Sequence, residues 1–472
     1  MSTAPETPVL QRSMGLRDVA LFMITAGASP QWAATAAAAG PSSLVVWILG
    51  GIGMFLPLSV CVVFLGSRYP EEGGMYAWAK RAFGPLGGFL TGWTYWISNI
   101  PFLTGLLYFA AGAALYLTGR PDETASASPA YFVGFSLVAL ALALAMNLRG
   151  LGTAKWLNNA SAVARWLEML LLVGLGLAIW SQFGPAVPLT RETMLPGFEL
   201  KDWLFWGAIA FAWTGPEAAS FMGGEIREPR RTIPRALALA APAIAMIYIL
   251  STIALIVSVD PSQLSALYGV MEAIRISAER LGLGWLVPIG AALVILDRVG
   301  GFGLWLGVNA RIPFSAGIDH FLPASFSRVH PRYGSPVVAL WFMGAIIAVL
   351  IFLGQAGTSV RGAYNVLVNL MVLATMLPFL ALFASAIRLS GEPAEPGETR
   401  IPGGKYTVRA MATLGLLTTS AAMVLALVPA ADEANPLLAV GKVGGTTVVL
   451  VAIGLLIYRS GVRRAAAAGR TA

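Results

Sequence analysis

Two apolar stretches of this chain carry, near their middles, residue types that expose backbone rather than hide it. Ala26-Gly27-Ala28-Ser29-Pro30 interrupts the run from Val19 to Gly40, and Thr214-Gly215-Pro216 interrupts the run from Trp203 to Gly224. Proline withdraws a backbone donor and clashes with the turn before it, while glycine accepts the non-helical angles that follow. An interrupted helix leaves orphan N–H groups at one new end and orphan C=O groups at the other, each with about half a unit of charge. Two such ends side by side can hold a zwitterion without any charged side chain. Gly27 and Ala28 are placed to offer amides to a carboxylate, with Ser29 as a hydroxyl donor. The carbonyls of Ile24, Phe211, Ala212 and Thr214 are placed to accept from an ammonium. A lone Gly-Pro pair more often kinks a helix for packing alone. Two in corresponding positions of two half-chains point instead to the binding site of a secondary carrier, with the interruptions at unwound stretches 26–30 and 213–216 meeting at mid-membrane.

Charges inside apolar runs are the second class of residue with chemistry to do, because they are costly in a bilayer and functional by default. They are Arg165 and Glu168, Glu217, and Asp297 with Arg298. Glu217, just after the second interruption, is the candidate proton carrier, since an apolar setting favours a carboxyl's neutral form. The plainer alternative is that it caps backbone exposed by the break. Arg165 keeps its proton and offers a fixed charge. Glu168 and Asp297 are expected to neutralise Arg165 and Arg298.

The elements that position these residues are membrane helices. Hydrophobic residues make up 57% of the 472, charged ones only 11%, and mean hydropathy is +0.74, against roughly 25% charged residues in soluble proteins. Apolar runs long enough to span recur about twelve times, near 17–40, 43–66, 85–118, 129–148, 157–181, 202–224, 233–258, 285–317, 336–354, 361–389, 408–429 and 436–458. The interruptions fall in the first and sixth, the same position in two five-helix units at about 17–181 and 202–389, with two helices left over at about 408–458. Residues 1–16 have no apolar core or cleavage pattern, so the first helix is expected to insert uncleaved, and 459–472 are expected as a second tail. A surface helix is expected within 259–284, with Glu272, Arg275 and Glu279 on one stripe and Val270, Ile274 and Leu281 on another. Residues 390–406, rich in proline and glycine, are expected as a linker.

The net charge of +8 is explained by its distribution, which removes the case for nucleic-acid binding. Alternate loops collect the cations: Arg12 and Arg17; Arg68, Lys80 and Arg81; Arg227, Arg230, Arg231 and Arg235; Arg459, Arg463 and Arg464. By the positive-inside bias both termini are cytoplasmic, in the cell's inner membrane. Cys61 is the single cysteine, so no intrachain disulfide forms. His320 and His330 have no ligand cluster near them, and no metal or other cofactor is expected. No Gly-x-x-x-x-Gly-Lys-Ser/Thr loop is present, which excludes direct ATP coupling. No channel-filter repeat and no catalytic constellation are visible, so neither a channel nor an enzyme is expected. A membrane sensor would need an output domain, and none is visible.

The helix 6 segment Phe211-Ala-Trp-Thr-Gly-Pro-Glu-Ala-Ala-Ser220 and its continuation Gly224-Glu-Ile-Arg-Glu-Pro-Arg-Arg-Thr-Ile-Pro-Arg235 resemble the amino acid–polyamine–organocation (APC) superfamily. Pro70-Glu-Glu-Gly-Gly-Met-Tyr-Ala-Trp-Ala-Lys-Arg-Ala-Phe-Gly84 resembles that family's loop between helices 2 and 3, and Ile401-Pro-Gly-Gly-Lys405 resembles the segment before helix 11 in bacterial glutamate/GABA antiporters. The resemblance covers essentially the whole chain. It departs at the first interruption, where relatives usually carry Gly-Ser/Ala-Gly and this chain has Ala26-Gly27-Ala28 before an unusual Pro30. The resemblance implies an all-α, LeuT-like 5+5 inverted repeat with helices 1 and 6 broken. It further implies a permease moving amino acids by alternating access, through proton symport or exchange, with a polyamine or amine exchanger as the alternative. Asn99 and Leu103 of helix 3, Phe211, and Trp305 of helix 8 are the implied side-chain pocket. Arg165 falls where proton-coupled relatives place a lysine, near the sodium position of LeuT-like symporters, and Gly300, Gly301 and Gly303 leave that region without hydroxyl ligands. Glu217 matches a glutamate implicated in pH sensing in the arginine/agmatine group. Implied partners are a small-molecule substrate and membrane lipid; protons and a homodimeric assembly are left open.

Overall fold

The computed structural model describes residues 12–71, 73–118, 128–197, 203, 205–264, 268–319, 321–353, 360–393, 398–428 and 441–467. His320, Glu72 and both chain ends lie outside them. Among the described residues the secondary structure is helical, apart from one backbone bridge between Met14 and Ile226. The first passage is α1 (Leu16–Gly27) and α2 (Pro30–Ala37); the second is α3 (Ser43–Gly50), a π turn (Gly51–Phe55) and α4 (Leu56–Arg68). Then come α5 (Met75–Ala114), α6 (Pro129–Leu148) and α7 (Leu151–Phe183). The second set opens with α8 (Trp206–Ala212) and a 3-10 segment (Pro216–Glu225), followed by α9 (Pro229–Ser258), the short amphipathic α10 (Gly269–Arg280), α11 (Leu286–Ile318), α12 (Val337–Leu353) and α13 (Val360–Leu389). Two further helices, α14 (Gly404–Ala426) and α15 (Thr446–Ala467), close the chain.

Eight helices among the described residues are long and apolar enough to cross a membrane, and Val337–Phe352 is a shorter apolar one. The two interrupted passages and α15 bring the total to about twelve. Leu170, Trp341 and Val424 stand exposed on outward faces, as lipid-facing side chains do and as those of a soluble domain rarely do in such number. The chain is an all-α integral membrane protein.

Local chemistry explains where the elements begin and end. Asp18 Oδ2 accepts from the Gly15 amide at 3.1 Å and starts α1, while Pro30 starts α2 from its first position, where a missing N–H costs nothing. The third passage begins at Met75, ten residues before the apolar run near 85, because Met75–Phe83 is a separate amphipathic turn joined to the span at Gly84, whose φ is 79°. Trp78 anchors that turn, its indole donating to Tyr69 O at 3.0 Å. The last helix runs to Ala467, past the expected boundary at 458, and Arg464 fastens its end by donating to Phe321 O at 3.2 Å.

The centre is formed by α1 and the 3-10 segment, enclosed by α7, α9 and α11, with α5 and α13 packed against one another beside them. An aromatic column positions the middle of α9. Trp47 stacks on Tyr248 at 4.3 Å, and Trp213 meets both rings edge-on at 5.7 and 5.4 Å. Gly50 makes room for Trp213, since a Cβ there would lie 2.8 Å from that indole.

Candidate functional site

At the first interruption only Ala28 and Ser29 leave the helix, both extended, with φ −129° and −147°. Gly27 is the last helical residue. Its missing Cβ serves close approach rather than unwinding, because a Cβ would sit 2.9 Å from Ile244 Cδ1 and 3.0 Å from Pro216. The exposed end is the carbonyl end of α1, and Arg165 covers it. Its Nη1 donates to Ile24 O at 3.0 Å, to Thr25 O at 2.5 Å, and to Ala28 O. A fixed cation against a helix C-terminus is favourable through both hydrogen bonds and the helix dipole.

The second interruption has the opposite polarity. Trp213, Thr214 and Gly215 are non-helical and Pro216 starts a 3-10 segment. Gly215 has φ 122° and lies so close to the first break that a Cβ would be 2.7 Å from Gly27 Cα. Only glycine satisfies both demands. Here the exposed group is an amide, and Glu217 covers it. Its Oε2 accepts from Gly215 N at 2.6 Å, and its Oε1 accepts from the Tyr95 hydroxyl at 3.0 Å.

One hydroxyl joins the two interruptions. Tyr248 Oη accepts from Ser29 N at 3.3 Å and lies 2.8 Å from Ala212 O and 3.1 Å from Gly27 O, to which it donates. Of the backbone groups that sequence alone leaves open, Ala28 N and the carbonyls of Ile24, Phe211 and Ala212 are engaged within the chain. Ile24 O takes Arg165 and also Ala28 N at 3.0 Å, and Phe211 O takes Thr214 N and Thr214 Oγ1 at 2.9 and 2.7 Å. Ser29 Oγ differs, being buried with no hydrogen-bond partner among the described residues.

Beside this junction lies a cavity of about 30 Å³, room for one or two waters. Side chains must move for an amino acid to enter. Its apolar wall is a box of rings: Trp32 to Phe211 at 5.2 Å, Phe102 to Phe211 at 5.9 Å, and Phe102 to Trp305 at 6.0 Å, all edge-on. Arg165, Asp297 and Arg298 give the same cavity a charged lining. Asp297 Oδ1 accepts from Arg165 Nε at 2.9 Å, from Arg165 Nη2 at 2.5 Å and from Ser161 Oγ at 3.1 Å, while Oδ2 pairs with Arg298. Arg298 reaches Glu168 Oε1 at 3.3 Å.

Ser29, Phe211, Ala212, Thr214, Trp305 and Arg165 thus line the cavity, as does Gly301. Gly27, Ala28 and Ile24 lie behind it in the junction, and Glu217 lies beyond the break, against Tyr95. Asn99 and Leu103 are buried but do not line the cavity; Asn99 Nδ2 donates to Tyr95 O at 2.7 Å. Phe102 and Leu106 of α5 take the wall instead, three residues on from Asn99 and Leu103 and rotated into the gap. Tyr248 and Trp32 carried no signal in the sequence, because one tyrosine or tryptophan among many apolar neighbours is indistinguishable from core.

A family model described as amino acid permease matches residues 14–459. An uncharacterised transporter of Legionella pneumophila is 29% identical over 394 residues, covering 83% of this chain and 84% of that one. A probable agmatine/putrescine antiporter of Lactococcus lactis is 23% identical over 431 residues, 90% of each chain. Among solved structures, MhsT in complex with L-phenylalanine is similar with a TM-score of 0.60 over 95% of this chain and 99% of that one, at 15% identity, which is a likeness of fold. That fold is the LeuT-like pair of five-helix units, here with the first helix of each interrupted and two helices added. Two broken helices closing on one cavity, in a chain matched by a permease model along nearly its whole length, make this protein a secondary transporter belonging to the amino acid permease family of the APC superfamily.

Proposed function

We propose that the protein carries amino acids across the cytoplasmic membrane, with both termini inside, by rocking the two broken helices around the cavity between them. The observation that supports this most is the meeting of both interruptions on the Tyr248 hydroxyl beside a space lined by both aromatic rings and paired charges. A zwitterionic head group exchanges hydrogen bonds with Ser29 and the junction backbone, and its side chain enters the ring box of Trp32, Phe102, Phe211 and Trp305. Polyamines suit this lining less well, since Asp297, the carboxylate in the wall, is already held by two arginines.

Coupling is to protons or to a counter-substrate. Arg165 fills with its guanidinium the nest of carbonyls at the end of α1 where an alkali cation would sit, and Gly300 and Gly301 give no side-chain oxygen ligand from α11. Gly300 is glycine because α7 passes against it, a Cβ there lying 2.9 Å from Ser161 Oγ. Uptake of radiolabelled amino acids into proteoliposomes, with and without internal amino acid, tests the proposal. Accumulation or exchange of one of them supports it; no uptake of any amino acid under either condition, from protein that is correctly inserted, overturns it.

A further inference from the structure

We propose that Glu168, not Glu217, is where the transporter takes up a proton as substrate binds, and that Arg298 carries the effect into the cavity. This rests on the carrier reading above and adds the site and the sign of the coupling.

The two carboxylates facing Arg298 are unequal. Asp297 has donors on both oxygens, from Arg165, Ser161 and Arg298. Glu168, with no exposed surface, accepts one hydrogen bond, from Arg298 at 3.3 Å on Oε1, and lies beside the Asp297 carboxylate, which has no proton to give; its Oε2 is buried with no hydrogen-bond partner among the described residues. An oxygen without a donor is the place where a proton does most good, because the neutral acid loses the unpaid desolvation of the anion. Glu217 is the reverse case. Both of its oxygens already accept, from Gly215 N and the Tyr95 hydroxyl, and it does not touch the cavity.

The charges around Glu168 are Arg298 and Asp297 from α11 and Arg165 from its own helix. α5 contributes the Phe109 ring, 4.9 Å from the Arg298 guanidinium. α9 contributes Tyr248, which borders the same cavity. α10 packs against α7 and α11, with Arg275 paired to Glu279 at 2.9 Å, Arg280 exposed and Glu272 half-buried. The cluster of Arg165, Arg298, Asp297 and Glu168 is therefore neutral when both acids are ionised. A proton on Glu168 leaves it with one positive charge, centred on Arg298, which lines the cavity. The carboxylate of a zwitterionic substrate, entering beside Arg298, pairs with that excess charge, while its ammonium lies farther from the cluster. Each event favours the other, and linkage makes the effect reciprocal: substrate binding draws in the proton, and acid strengthens substrate binding.

The test uses full-length protein in detergent and weak buffer, with an equimolar mixture of the twenty common amino acids as probe. Binding is followed by thermal shift and proton uptake by an indicator dye. Wild type should take up about one proton per bound amino acid; Glu217→Gln should keep that uptake and Glu168→Gln should lose it. A thermal shift without proton uptake, or uptake that survives Glu168→Gln, overturns the proposal and leaves the carrier reading intact. No shift in wild type overturns the carrier reading and the proposal together. Should Glu168→Gln fail to fold, difference infrared spectra on adding the same mixture decide the matter. A protonated-carboxyl band that appears in wild type and moves in Glu168→Asp supports the assignment, and absence of the band, or a band that does not move, overturns it.

Discussion

The two interruptions expose opposite ends of the peptide group and are closed by opposite charges. At the first, the carbonyls of Ile24, Thr25 and Ala28 face a cation, Arg165, which comes from another helix and is itself held by Asp297. At the second, the Gly215 amide faces an anion, Glu217, which sits two residues along the same chain segment. Both follow the polarity of the helix ends they cover. They differ in what they tie together. Arg165 links α1, α7 and α11, whereas Glu217 closes a local loop and, among the described residues, reaches outside it only to Tyr95. A cap that joins three elements constrains how those elements move; a local cap constrains only the loop.

Replacing the caps should therefore give unequal losses, with Arg165 the larger. Arg165→Ala leaves Asp297 and three carbonyls facing an unfilled buried space, the kind of broken buried pair that costs about 3–5 kcal/mol. Transport in proteoliposomes should fall to background and the thermal midpoint should drop sharply, with Arg165→Lys recovering part of both. Equal loss from Glu217→Ala would break the distinction drawn between the two caps.

Next in size is the contact between the breaks. Gly27→Val should abolish transport while expression persists, because its side chain must displace Pro216 and Ile244, at a cost on the order of 1–3 kcal/mol. Wild-type uptake by this variant would show that the breaks need not touch. Glu217→Ala follows, leaving the Gly215 amide unpaired at a cost of about 1–3 kcal/mol. Glu217→Gln keeps an acceptor and should transport at reduced rate with the pH profile of wild type merely scaled down. A flattened profile in that variant would return the proton to Glu217. Tyr248→Phe removes the hydroxyl shared by the breaks, and a loss of about 1 kcal/mol should appear as a several-fold change in substrate affinity with the fold retained. The smallest expected effect is none: replacing sodium by choline at fixed pH and potential should leave uptake unchanged, and a steep sodium dependence would mean that Arg165 does not substitute for the ion.

Much of the architecture was legible in the sequence because bilayer thickness imposes it locally. A run of apolar residues must cross, and a Gly-Pro pair within it must break the helix, whatever lies nearby. The boundaries that shifted did so for specific side-chain contacts, one to a neighbouring loop and one to a distant segment. Met75–Phe83 is anchored through Trp78 to Tyr69, and the end of α15 is held by Arg464 on Phe321. Neither contact is written in a hydropathy profile.

The site divides in the same way. Residue type and position alone determined that Arg165 would be a fixed buried charge, that Gly215 would turn where no other residue could, and that Glu168, Asp297 and two arginines would have to find one another inside the membrane. Tertiary structure decided which face of α5 meets the cavity, so that Phe102 and Leu106 stand where Asn99 and Leu103 were expected. It also brought Tyr248 from α9 onto both breaks and, among the described residues, left one oxygen of Glu168 without the donor that Asp297 received. The physical reason is one of range. Insertion energy and backbone conformation depend on a residue and its immediate neighbours, while hydrogen-bond satisfaction depends on rotation and depth of whole helices against each other, which no single segment specifies.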